Sequence, residues 1–211
     1  MICVSISDPG QIIQAVQSGA QMIELRLDLL RTDPAGLFSG LPSHVKVVAT
    51  CRPGDYRTDE RISMLTSAIK LGAAYVDIEL ESSDQFAGQV MEAAARQKCE
   101  VIISHHDFEA TPDQKGLINK LEQCFRRGGD VAKIATQVRN REDLLNLLSL
   151  YRLPGRKVVL GMGAPGRITR VAGPYLGAEF TFASPGSGSE TAPGQLDAKQ
   201  LNAIFNVINR S

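Results

Sequence analysis

Residues 100–137, EVIISHHDFEATPDQKGLINKLEQCFRRGGDVAKIATQ, hold the repeating unit of the fold. Glu100–Asp107 is a short apolar run of strand type. Thr111-Pro112 then opens a stretch of helical period that reaches about Arg127, and Val131–Gln137 is the next apolar run. The same alternation extends outward in both directions. On the N-terminal side the runs are Ile2–Ser7, Met22–Asp28, Lys46–Arg52 and Ala74–Leu80. Each is followed by a helical segment: IIQAVQSGA behind Asp8 and Pro9, then Pro34–Phe38, Arg61–Leu71 and Asp84–Gln97. On the C-terminal side a helix over Arg141–Tyr151 precedes the run Lys157–Gly163, and Arg167–Tyr175 is again helical. Phe180–Ser184 and the amphipathic stretch Ala198–Asn209 complete eight strand–helix units. Strands that alternate with helices pair in parallel through right-handed crossovers. Eight such units in 211 residues predict an α/β fold, a single (β/α)8 TIM barrel spanning 1–211. A doubly wound open sheet is the alternative, but no G-x-G-x-x-G follows the first strand.

Composition narrows the classes of function. Lys plus Arg and Asp plus Glu are both 23, so the net charge is zero. Nucleic-acid binders draw their affinity from an excess of basic side chains, and none is present. No apolar run approaches a membrane span, and MICVSISDPG lacks the basic and apolar regions of a secretory signal. Cys3, Cys51, Cys99 and Cys124 are widely spaced, without a C-x-x-C pair. That spacing predicts a reduced, cytoplasmic protein with neither a zinc site nor a disulfide framework.

Alternation along each strand assigns faces. Glu24, Arg26 and Asp28 share one face of the second strand, while Ile23, Leu25 and Leu27 share the other. The same rule groups Val48, Thr50 and Arg52; Asp77, Glu79 and Glu81; Ile102, Ser104 and His106; Val131, Lys133 and Ala135; and Leu160 with Met162. Five strands therefore aim ionisable groups into the barrel interior, where unpaired charge is costly. A purely structural ion network is one reading. The variety of groups favours an active site at the C-terminal mouth, where this architecture places its chemistry.

Lys133 stands mid-strand in VAKIA, where solubility requires no lysine. In an apolar, cation-rich pocket its ammonium would lose its proton more readily, freeing an amine to attack a ketone and form an imine. Snorkelling, or pairing with Glu24, is the structural alternative. His106 suits proton transfer near neutral pH and shares its face with Ser104, while His105 points the other way.

MIELRLD, ATCRP, ISHHDF, VAKIA, GMG, ITR and TAPGQ occur in that order from the second strand to the last helix. As an ordered set they resemble the type I 3-dehydroquinate dehydratases, across essentially the whole chain. The resemblance implies dehydration of 3-dehydroquinate to 3-dehydroshikimate by syn elimination, within the shikimate pathway of aromatic amino acid biosynthesis. It implies Lys133 as the imine-forming lysine and His106 as general acid and base. It implies Glu24, Arg26 and Arg52 as groups that hold the ring hydroxyls, Arg170 as carboxylate-binding, Gln195 as a substrate contact from a closing loop, and Met162 near the imine. It implies no cofactor and no metal.

Three departures stand out. The acidic residue that usually follows the third-strand arginine has three candidates in PGDYRTDE: Asp55, Asp59 or Glu60. The serine common before APGQ is Thr191. The N-terminal hairpin that caps the barrel floor is absent, since the first run begins at Ile2. An uncapped floor suggests a homodimer or fusion to another shikimate-pathway domain. Without the resemblance, the residues support a class I aldolase as runner-up, with Gly/Ser-rich SPGSGSETAPG cradling a substrate phosphate. A catalytically silent barrel serving as a binding module is the reading outside enzymes.

Overall fold

The computed structural model describes residues 1–210. Its strands are β1 (Ile2–Ile6), β2 (Met22–Arg26), β3 (Lys46–Thr50), β4 (Tyr75–Glu79), β5 (Glu100–Asp107), β6 (Val131–Gln137), β7 (Lys157–Met162) and β8 (Thr181–Ala183). The helices are α1 (Gly10–Gln17), α2 (Leu27–Leu30), α3 (Pro34–Phe38), α4 (Thr58–Lys70), α5 (Asp84–Gln97), α6 (Gln114–Arg126), α7 (Arg141–Ser149), α8 (Ile168–Leu176) and α9 (Ala198–Ile208). All strand pairs are parallel, in the order β7-β6-β5-β4-β3-β2-β1-β8. The last seam is drawn together where Glu179 N donates to Lys157 O at 2.9 Å, so the barrel is nearly closed. No helix among the described residues is long and apolar enough to cross a membrane.

The face assignments follow from two apolar layers. Cys3, Met22, Val48, Tyr75, Ile102, Val131, Val158 and Phe182 each come from a different strand and meet inside the barrel. The residues in alternate phase, among them Val4, Ile23, Val47, Val76, Ile103, Ala132 and Val159, pack outward against the helices. A one-residue slip would exchange the layers and drive Asp77 and Lys133 into the apolar outer one.

Most strands are a residue or two shorter than the sequence runs, and three differences bear on the site or on how its helices start. β2 stops at Arg26, so Asp28 lies in α2, where its carboxylate holds Arg26 bidentately at 3.0 and 2.6 Å. α4 starts at Thr58 rather than Arg61, because the Glu60 carboxylate accepts from Arg57 N at 2.8 Å and caps an extra turn. Thr111-Pro112 stays outside α6, which Asp113 caps by accepting from Gly116 N at 2.8 Å. α8 is seated tightly: a Cβ on Gly166, in the turn before it, would lie 2.4 Å from the Gly161 carbonyl carbon of β7. This backbone-on-backbone contact delivers Arg170 into the β7–β8 seam.

At the N-terminal end, side chains of this chain span the floor. Arg156 donates to Glu100 at 2.5 and 2.9 Å and to Glu179 at 2.7 and 3.0 Å. Above them Tyr75 packs edge-to-face on Phe180, and Phe180 on Phe182, with centroids 5.7 and 5.4 Å apart.

Candidate active site

The opposite, C-terminal mouth opens into a cavity of about 870 Å³. Glu24, Arg26, Arg52, His106, Lys133, Met162, Arg170, Thr191 and Gln195 all line it. They come from six of the eight strand–helix units, so only closure of the barrel brings them together.

Lys133 rises from the middle of β6, 5% exposed. Its Nζ lies 3.0 Å from Asp77 Oδ2, 3.8 Å from Glu24 Oε1 and 4.2 Å from the centroid of the Phe182 ring. The expected cation-rich pocket is thus charge-balanced, because β2 and β4 bring a carboxylate each. Arg52 places Nη2 2.9 Å from the same Asp77 oxygen and Nη1 3.2 Å from Glu79 Oε1. Ser104 Oγ donates to Asp77 Oδ1 at 2.6 Å and accepts from Arg52 Nη1 at 3.0 Å. Burial alone would raise the Asp77 carboxyl, but Arg52 and Lys133 hold it well below the usual carboxylate range.

His106 shares the inner face of β5 with Ser104. Ser104 is paired with Lys133 and His106 with Ala135, so the imidazole stands two residues further toward the mouth. That is roughly 6–7 Å along the strand from the level of Lys133. Burial, reinforced by the Arg52 and Lys133 charges, pushes His106 well below the ordinary imidazole range. The ring is therefore neutral near pH 7 and able to accept a proton. It stacks on Phe108, with centroids 6.2 Å apart. His105 turns to the other side of the strand, where Nδ1 meets Glu81 Oε1 at 2.5 Å.

None of the three acidic candidates reaches His106. Asp55 pairs with Arg31 at 3.0 Å, Asp59 with Arg57 at 2.8 Å, and Glu60 serves as the α4 cap. All sit on the exposed side of the loop. The inward place belongs to Arg61, whose guanidinium donates to Cys51 O and to Glu79 Oε2 at 2.9 Å. Arg61 also lies 4.5 Å over the Phe86 ring.

Arg170 is 1% exposed and, among the described residues, donates only to carbonyls, Phe182 O and Gly194 O, each at 3.3 Å. Burial lowers it to about 10. A buried guanidinium that lines a cavity without a carboxylate partner is a ready anion site. The 184–197 segment closes over it: Gly163 N donates to Pro193 O at 3.3 Å, and Gln195 is buried, its Oε1 accepting from Thr191 N at 2.8 Å. The donors expected to cradle a phosphate turn instead to this chain's own carboxylates. Gly188 N meets Glu190 at 3.1 Å and Ser187 Oγ meets Asp197 at 3.3 Å. Met162 is buried at the end of β7 beside this segment.

Sequence reasoning placed Asp77 on the inner face but gave it no part in the site. The alternation YVDIE was the available signal. Arg61 and Phe182 carried no such signal, because their contacts depend on how α4 and β8 dock. The four cysteines are free and buried, and burial raises each thiol: Cys51 to about 11, Cys99 and Cys124 to about 12, and Cys3 well above its usual value.

The fold and the site define a (β/α)8-barrel enzyme with a buried lysine below its C-terminal mouth. The sequence profile of the type I 3-dehydroquinase family matches residues 2–211, and the chain belongs to that family. It is 35% identical to the 3-dehydroquinate dehydratase of Methanococcus maripaludis, over 99% of this chain and all of that one. The crystal structure of 3-dehydroquinate dehydratase from Aquifex aeolicus superposes with a TM-score of 0.87 at 26% identity, covering 100% of both chains. The dehydroquinate dehydratase and shikimate dehydrogenase of S. pombe shares the fold, with a TM-score of 0.76 at 21% identity. There the match covers all of this chain and 44% of the other.

Proposed function

We propose that this chain dehydrates 3-dehydroquinate to 3-dehydroshikimate through an imine on Lys133. The carrying observation is the placement of Lys133: a buried amine on the inner face of β6, 3.0 Å from Asp77, lining the cavity of about 870 Å³. Family membership and the names of the relatives supply the substrate.

The steps follow from the groups present. The Lys133 amine, having passed its proton to a carboxylate or to water, adds to the substrate ketone, and loss of water gives the imine. The imine nitrogen withdraws electrons from the adjacent carbon, which weakens its C–H bond. His106, neutral and nearer the mouth, takes that proton and returns it to the departing hydroxyl on the same face, which leaves as water. Hydrolysis of the imine then releases the enone and restores the amine. Arg170 would receive the substrate carboxylate, and Glu24 and Arg52, both lining the cavity, offer an acceptor and a donor for ring hydroxyls. Arg26 lines the cavity with its guanidinium already held by Asp28, so it orders the rim.

Borohydride added during turnover tests this directly. One reduced adduct per chain is expected, mapped to Lys133 by mass spectrometry and missing in Lys133→Ala. An adduct on another lysine, or turnover surviving in Lys133→Ala, contradicts the proposal.

A further inference from the structure

β3 ends at Thr50, whose register partner on β4 is Asp77, so Cys51 and Arg52 lie beyond the last paired residue. The strand ladder carries Arg52 toward the mouth only as far as the residue two before it. Arg61, from the N-terminal turns of α4, supplies a further anchor. Its side chain is buried, and Nε and Nη2 both donate to Cys51 O, at 3.0 and 2.7 Å. That carbonyl belongs to the peptide bond leading into Arg52. Nη2 also donates to Glu79 Oε2 at 2.9 Å, while Glu79 Oε1 stands 3.2 Å from Arg52 Nη1. One guanidinium thus grips Arg52 at both ends, its backbone through the Cys51 carbonyl and its side chain through Glu79. The Phe86 ring of α5 backs the Arg61 fork, 4.5 Å away.

Two features reach beyond a clamp on the fold. Arg61 lines the same cavity as Lys133 and His106. Its charge also opens an unbroken alternating series: Arg61, Glu79, Arg52, Asp77, Lys133. A displaced Arg52 would be felt at Asp77 and at His106, whose imidazole is pushed down by burial and then by the Arg52 charge. Lysine at this position would keep the charge but not the fork. An ammonium is a point charge and cannot reproduce the planar grip on carbonyl and carboxylate together.

We propose that Arg61 is a positioning residue for the reaction: it sets the height and direction of the Arg52 guanidinium against Asp77 and the substrate ring. Its kinetic consequence rests on the dehydratase reading above; the setting of Arg52 does not.

Arg61→Lys separates position from charge, and Arg61→Gln removes both. NMR titration of the His106 ring in the ligand-free protein reads the placement of Arg52 without reference to turnover. In both variants the ring should titrate at higher pH than in the native chain, because Arg52, freed from its anchor, presses less on the imidazole. In an Arg52→Ala background Arg61→Lys should add no further rise, since it acts through a group already gone. Arg61→Lys also covers the case in which Arg61→Gln, with Glu79 left half-paired, fails to fold. In turnover, Arg61→Lys should raise KM for dehydroquinate about 10-fold, the scale of one weakened hydrogen bond from a charged group. It should hold kcat within about 3-fold, because Lys133 keeps Asp77 and Glu24. Joined to Arg52→Ala, it should leave KM where Arg52→Ala alone puts it. A native-like His106 titration in Arg61→Lys, or KM penalties that multiply in the double variant, overturns the proposal. So does a lowered unfolding midpoint with both readouts unchanged, which would make Arg61 a clamp on the fold alone. Failure of the native chain to trap an imine would defeat the dehydratase reading and leave the His106 titration to decide the role of Arg61.

Discussion

Lys133 and Arg52 share one oxygen: Asp77 Oδ2 lies 3.0 Å from the ammonium and 2.9 Å from the guanidinium. Two cations from β6 and just beyond β3 are thus held by a single buried carboxylate from the strand between β3 and β5. Asp77→Asn keeps the shape and removes the charge. Breaking a buried ion pair from one side costs about 3–5 kcal/mol, so the variant should unfold at markedly lower denaturant concentration. Equilibrium unfolding measures this. A midpoint like that of the native chain would mean Glu24 and Glu79 suffice to balance both cations.

The depressed His106 imidazole gives a pH prediction with a definite sign. Its folded value lies below the unfolded one of about 6.5. The associated stability is therefore complete above about pH 6.5 and is lost as pH falls through the lower folded value. Followed by NMR, the His106 ring should titrate well below the ordinary range, and Arg52→Ala should move it upward by removing a nearby positive charge. His106→Ala should lose turnover by about 10²-fold or more while still yielding a slow adduct on Lys133. His105→Ala, on the opposite side of β5, should lose much less; equal losses would contradict the assignment of the inner face.

The barrel was legible because its signal is periodic. The runs 100–107 and 131–137 matched the strands residue for residue, and alternation within them put Lys133 and His106 on the inner face. What stayed hidden depends on contacts far apart in sequence. Asp77 gains its role only when β3, β4 and β6 bring Arg52, Asp77 and Lys133 together. The exposed positions of Asp55, Asp59 and Glu60 follow from where α4 starts, three residues earlier than its apolar pattern suggests. Arg170 was legible as an anion-binding candidate, but its lodging between the β8 carbonyl and the closing segment was not, because that depends on the Gly161–Gly166 approach.

Arg170 makes no ion pair with any carboxylate among the described residues, which permits a clean test of what it awaits. Arg170→Gln should raise KM for dehydroquinate by about 10²-fold, the scale of one charge-assisted pair in a buried site. The same penalty should appear when the native protein is given the carboxamide analogue of the substrate. If guanidinium and carboxylate meet, the analogue should cost the variant little further, because each change removes the same pair. Independent, multiplying penalties would place the substrate carboxylate elsewhere.

Arg156 offers the complementary test, at the end of the barrel away from Lys133. Its bonds hold the Glu100 and Glu179 carboxyls below their ordinary range, against the opposing effect of burial. The stability they contribute is present above the unfolded value of about 4.3 and lost as pH falls through the depressed folded values. The network is partly exposed and screened, so Arg156→Met should cost about 1 kcal/mol at neutral pH. That difference from the native chain should shrink toward zero in acid, as both carboxyls protonate. Turnover at pH 7 should stay within about 2-fold, since removing an exposed floor contact does not alter transition-state binding at the mouth. Thermal unfolding of both chains across pH 3–7 checks the first expectation and steady-state kinetics the second. A pH-independent stability gap would reduce Arg156 to packing, and a large fall in kcat would mean that the floor transmits its disorder to Lys133.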